Sequence, residues 1–142
     1  MKHFCSILIV MCLCACHSDE KFKNLTIAIS HANHGAFKTN FKSIIVIPYE
    51  GCSGCISNTT AFVKEHIDTL RSNIIFTGIE DFKILKLKIG PKVLKSDKVY
   101  FDLDNKLMQK EFASIYPQIV TVDEARKIIQ FKVLDLSIFE SH

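Results

Sequence analysis

The chain of 142 residues predicts an α/β fold with a mixed central sheet, and three observations predict it. Short apolar runs rich in β-branched and aromatic residues recur at 43–49, 73–79, 99–103, 118–122 and 127–134. A helix-spaced pattern comes after each of the first three runs. The last two are joined by only Asp123-Glu124-Ala125-Arg126, too short for a crossover and suited to a hairpin. Strand–helix alternation ending in a hairpin puts parallel and antiparallel pairs into one sheet.

Taken in order, Leu25-Thr26-Ile27-Ala28-Ile29 alternates as an edge strand would, and 31–40, with Gly35 and small polar residues, reads as a loop. Ser43-Ile44-Ile45-Val46-Ile47-Pro48-Tyr49 is an unbroken apolar run, the mark of a buried strand. Ile56, Thr60, Val63, Ile67 and Leu70 then recur at three- and four-residue spacing, which defines one face of a helix ending near Leu70. Ser72-Asn73 breaks it, and Ile74-Ile75-Phe76 forms the centre of a second buried strand. Residues 81–89 fit both periods. Gly90-Pro91, a natural helix terminator, favours helix there. After the third strand, Asp104-Asn105 offers an N-cap for a short helix through Leu107, Met108, Glu111 and Phe112, stopped by Tyr116-Pro117. The tail from 135 holds at most a short final helix.

The first residues stand apart from this pattern. Lys2 and His3 form a basic head, and 7–13 are almost wholly apolar. That stretch is shorter than the roughly 20 residues a spanning helix needs, so it reads as a cleaved signal peptide, residues 1–15. Leu13-Cys14-Ala15-Cys16 resembles a bacterial lipobox, whose final cysteine is acylated and becomes the first mature residue; that role falls on Cys16. The plainer reading is an ordinary signal peptide cleaved nearby. Residues 16–24 are then a polar, lipidated tether, and 25–142 one domain anchored to a membrane of the cell envelope. Ser18-Asp19-Glu20 also resembles a short acidic tag that sends lipoproteins to the cell surface, but a solvated linker has the same composition and is the preferred reading, so periplasmic and surface-facing placements both stay open.

Charge and cysteine usage narrow the function. With 18 Lys+Arg against 15 Asp+Glu the net charge is +3, falling to about +2 without Lys2, a near-balance that favours no polyanion. The lysines are dispersed with no aromatic–basic cluster, which argues against a nucleic-acid partner. Of six cysteines, Cys5, Cys12 and Cys14 leave with the signal and Cys16 carries lipid, leaving only Cys52 and Cys55. A single pair two residues apart closes too short a loop to act as a staple. It sits where a buried strand meets a helix, and a helix N-terminus stabilises a thiolate.

The order of elements and three segments resemble thioredoxin-like proteins, in particular exported, membrane-anchored thiol–disulfide oxidoreductases with an extra strand and helix in the middle. The segments are Ile44-Ile45-Val46-Ile47 running into Gly51-Cys52-Ser53-Gly54-Cys55, then Val99-Tyr100-Phe101-Asp102, then Ile115-Tyr116-Pro117-Gln118-Ile119-Val120-Thr121-Val122-Asp123 with Lys127-Ile128-Ile129. The resemblance covers roughly 42–134 and rests on pattern rather than identity. It implies a three-layer sandwich with an abbreviated C-terminal helix. It also implies a cis bond at Pro117, with Tyr116 and Pro117 forming the substrate-side loop beside the cysteine pair. The chain departs from the family in three places: Gly51 replaces the aromatic residue before the first cysteine, Val46 replaces a buried acid, and the closing helix is nearly absent.

On this reading Cys52 is the attacking thiolate and Cys55 resolves the mixed disulfide. The partners are protein thiols or disulfides and a separate redox partner, and no dissociable cofactor is needed because the pair carries the two electrons. A metal site is the competing chemistry: His31 and His34 with Cys52 and Cys55 would make a Cys2His2 zinc set. A pair that opens a helix differs from the knuckle turns of structural zinc sites, so no metal is expected. A non-catalytic module with a structural Cys52–Cys55 disulfide is the rival from another class.

Overall fold

The computed structural model describes residues 23–31, 41–109, 112–125 and 127–139. Its sheet holds five strands: β1 (Ser43–Pro48), β2 (Asn73–Thr77), β3 (Val99–Phe101), β4 (Gln118–Val122) and β5 (Ile128–Val133), in the order β3-β2-β1-β4-β5. β1, β2 and β3 run parallel, with Ile45 opposite Ile74 and Ile75 opposite Tyr100. β4 pairs antiparallel with β1, Ile45 opposite Ile119, and β5 antiparallel with β4. The expected mixed α/β sheet is therefore present.

β1 lies between two strands and two helical layers. Ile44 and Val46 join a cluster with Leu25, Ala28 and Ile29 of α1 (23–31), together with Leu107, Phe112 and Val120. Ile45 and Ile47 join a second cluster with Val63 and Ile67, on and just beyond α2 (Ser53–His66), and with Leu85, Ile89 and Val93 of α3 (Phe82–Leu94). A strand covered on both faces has to be apolar at every position, which is why this run does not alternate.

Residues 25–29 form part of α1, which corrects the expected edge strand. Leu25, Ala28 and Ile29 are buried while Ile27 is 47% exposed, the spacing of a helix face rather than of alternate strand positions. Five residues satisfy both periods, and packing against β1 selects the helical one. Lys23 and Asn24, expected in the tether, lie in the first turn of α1. The expected signal peptide, Cys16, the rest of the tether and His34 lie outside the described residues.

α3 begins where Asp81 Oδ1 accepts the Lys83 and Ile84 N–H groups at 2.8 and 3.1 Å. Gly90-Pro91 ends the first helical segment of α3, as expected, and a second short segment restarts at Pro91. Gly90 takes φ 78° and ψ 167°, and a further turn carries Val93 back into the core. Downstream of α2, Lys98 Nζ donates to the carbonyls of Ile67, Asp68 and Leu70 at 3.0, 3.1 and 2.8 Å, closing the turn at the end of the helix.

The helix expected after β3 is a 3-10 turn, Lys106–Met108, among the described residues; 110–111 lie outside them. Asn105 does not cap it. Asn105 adopts a left-handed φ of 53°, and its side chain accepts the Ile79 N–H at 3.1 Å. The cap is the fully buried Asp102: Oδ1 accepts Lys106 N–H at 2.9 Å, and Oδ2 accepts Leu107 N–H at 2.8 Å and the Thr77 hydroxyl at 2.7 Å. The hairpin between β4 and β5 is as expected, with Asp123 pairing with Lys127 across the turn and a bulge at Thr121/Val122. A 3-10 turn, Leu136–Phe139, comes after β5 and sets Phe139 against Phe62, ring centroids 5.2 Å apart.

Candidate functional site

The parallel strands β1, β2 and β3 end on the same side, and β4 starts there because Gln118 lies opposite Val46. Residues 49–52, 78–81, 102–105 and 113–117 therefore gather at one end of the sheet. Cys52 and Cys55 lie at this end, half-buried and bonded to each other, with Cα atoms 5.3 Å apart.

Cys52 is the N-cap residue of α2, with φ −65° and ψ 94°, and no side chain caps the first turn. Its carbonyl accepts the first intrahelical bond, from Ile56 N–H at 2.9 Å. The first turn of α2 contains no acid, while Lys64 and His66 stand in the last turn. The positive end of the helix dipole therefore faces the cysteine pair with no carboxylate in the helix's own first turn to offset it.

The loop before β4 meets this turn through the backbone. Cys52 N–H donates to the Ile115 carbonyl at 2.8 Å. Gly51 lets the two segments touch: a Cβ at that position would lie 2.7 Å from the Ile115 Cα and 2.8 Å from its carbonyl carbon. Gly51 also has φ 142°, open to glycine and strained for other residues. The departure from an aromatic residue at position 51 thus has a steric reason here.

Tyr116 and Pro117 come directly after. Tyr116 is 42% exposed, whereas Pro117 is buried and its carbonyl accepts Leu134 N–H at 2.8 Å. The peptide bond before Pro117 is trans, which corrects the expected cis isomer; trans is the lower-energy form of an X-Pro bond unless packing selects otherwise. The contact with the cysteine pair is made one step earlier in the chain, by Ile115. The sequence pattern places Ile115 beside the loop but gives it no role. The glycine in an aromatic position is the one signal that backbone approaches there.

Around this corner several large apolar side chains face solvent: Leu103 and Ile115 are each 58% exposed, and Met108 is 37% exposed. Val46 is buried among apolar neighbours of the α1-side cluster. His31 is exposed on α1, which packs on the opposite sheet face from α2. Among the described residues no three His, Cys, Asp or Glu side chains converge in a way that would hold a metal ion.

No family profile matches the chain. No curated protein matches it either. Among solved structures it is similar to a conserved protein of unknown function from Bacteroides fragilis, at 14% identity and a TM-score of 0.41, over 75% of this chain and 86% of that one.

Proposed function

We propose that this chain is a thioredoxin-like thiol–disulfide oxidoreductase, exported and held at a membrane by lipid on Cys16, which exchanges disulfides with proteins of the cell envelope. The observation that carries the reading is the position of Cys52: at the start of α2, bonded to Cys55, with the helix start uncapped and no acid in its first turn. The strand order supports it as well, since the strand that leads to the pair is central and a hairpin returns beside it with Ile115 against Cys52. No helix among the described residues is long and apolar enough to cross a membrane, so the membrane part of the proposal rests on the lipobox-like Leu13-Cys14-Ala15-Cys16 alone.

The chemistry balances within the pair. From the bonded state, a client thiolate attacks Cys52 Sγ, the Cys52–Cys55 bond breaks, and Cys55 leaves as a thiolate that takes up a proton. The second client thiol, deprotonated, then attacks its neighbour's sulfur in the mixed disulfide and expels the Cys52 thiolate. Two client thiols have become a disulfide and the pair has become a dithiol. The reverse sequence reduces a client. In either direction the Cys52 thiolate is the species that the uncapped amides and the dipole of α2 favour.

The exposed Ile115, Tyr116 and Leu103 give such a client an apolar surface to lie on. A Cys55→Ser variant is expected to accumulate a mixed disulfide with client proteins, resolved on a non-reducing gel, and to lose insulin reduction. If Cys52→Ser accumulates the adduct instead, the two roles are reversed. One observation favours the non-catalytic module: Val46 leaves no carboxylate in the buried position where the family places one to take the second thiol's proton. A pair that resists dithiothreitol and does not exchange with glutathione would establish that module instead.

A further inference from the structure

A second site, separate from the disulfide, lies between α2 and α3. A cleft of about 330 Å3 opens there beside the last residues of β1, at the lower end of the roughly 300–1,000 Å3 typical of small-molecule pockets. Ile47, Phe76, Leu85 and Ile89, buried and apolar, close the cleft from beneath, and Tyr49, Ile56 and Ala61 present its accessible surface. Tyr49 and Ile56 line the side nearest the cysteines.

The mouth has a different chemistry from the floor. Lys64 of α2 and Lys88 of α3 are both exposed at the cleft, and no acidic residue lines it. Both are held in place by local contacts. Lys64 Nζ donates to the Lys88 carbonyl at 3.3 Å, and Lys88 Nζ stands 4.7 Å above the centre of the Tyr49 ring. The hydroxyls of Ser57 and Thr60 also line the cleft and add neutral donors.

We infer that this cleft binds a compact carboxylic acid with an aromatic or branched apolar body, the body against Tyr49 and Ile56 and the carboxylate between Lys64 and Lys88. Two ammonium groups at the opening of an apolar pocket match an anion at one end of an apolar molecule, and no carboxylate lines the cleft to compete for them. The inference does not depend on the redox reading: the cleft binds whether the disulfide is intact or reduced.

Titrating the isotope-labelled full chain with phenylbutanoate, and in parallel with its neutral amide, tests this by the backbone amide signals. The expected result is saturable shifts at Ile56, Thr60, Ala61 and Lys88, with the neutral amide binding about tenfold more weakly. Lys64→Glu and Lys88→Glu should each weaken the acid by a similar factor, and both sites are solvent-exposed, so the fold tolerates the change. Ala61→Phe, which fills the mouth, should abolish the shifts; Lys64→Gln serves as the milder variant if it disturbs the spectrum elsewhere. Equal binding of acid and amide, indifference to both charge reversals, shifts scattered away from the cleft, or no saturable shift at millimolar ligand would each overturn the proposal.

Discussion

Three parallel strands end at the same side of this sheet, and the turns after two of them are finished in one way and the third in another. After β2, Asp81 closes the start of α3 with two bonds to backbone N–H groups. After β3, the buried Asp102 closes the next turn with two backbone N–H groups and a hydroxyl. After β1, the corresponding place belongs to Cys52, whose side chain caps nothing. A carboxylate satisfies the orphan donors of a helix start and offsets their field; a sulfur tied to its neighbour leaves both available. The difference separates two turns built for stability from one that retains its electrostatic field where a thiolate would form.

Substitutions can break this contrast, and the largest effect belongs to the most buried cap. Asp102→Ala leaves three donors without their acceptor, and urea unfolding should show a loss of roughly 4 kcal/mol. Asp102→Asn retains part of the acceptor capacity and should lose less. Gly51→Ala comes next. It forces a left-handed φ on a residue with a Cβ and pushes that Cβ into Ile115, so a loss of about 2 kcal/mol is expected, with a shifted Cys52 amide signal.

Exchanging the caps sharpens the comparison further. Asp81→Ala should cost α3 about 1 kcal/mol. The double variant Cys52→Asp, Cys55→Ala should be more stable than Cys52→Ala, Cys55→Ala by about 1 kcal/mol, because a carboxylate supplies the cap that α2 lacks. Equal stabilities would show that the first turn of α2 is already satisfied. The smallest effect concerns Asp135, at the exposed end of the chain. Its carboxyl is held below the ordinary aspartate range by the Ser137 backbone N–H first and the Ser137 hydroxyl second, with Lys132 adding to them against slight desolvation. The folded value is the lower one, so this contribution is present above the unfolded value and disappears as pH falls through the folded one. Asp135→Asn should therefore separate from the parent in thermal stability at neutral pH and converge with it in acid.

These contrasts also divide the features a sequence conveys from those it does not. The central strand is legible because Ile44 to Ile47 are covered on both faces, which forces an uninterrupted apolar run. The hairpin is legible because its connection is short. Residues 25–29 mislead since five positions fit both periods, and only contact with Ile44 and Val46 distinguishes them. Near β3, position alone favours Asp104 and Asn105 as the cap over Asp102; burial of a carboxylate is a property of the neighbours, Thr77 included, and not of its own position. At the candidate site, Cys52 and Cys55 stand out by type and spacing. Ile115 does not, because it acts through its carbonyl, which every residue carries. Lys98 is similar: the three carbonyls it reaches lie about thirty positions earlier, where no local pattern could point to it.

The placement of β1 has a consequence for how the molecule breathes. With hydrogen-bonded neighbours on both edges and apolar layers above and below, its amides are expected to be among the last of the described residues to exchange with deuterium. The cysteines are fastened to the end of that slow-opening strand, while Ile115 is carried on a separate loop at the start of β4. Local fluctuations that break the Cys52 N–H bond to the Ile115 carbonyl can therefore move the loop and return it without disturbing the strand.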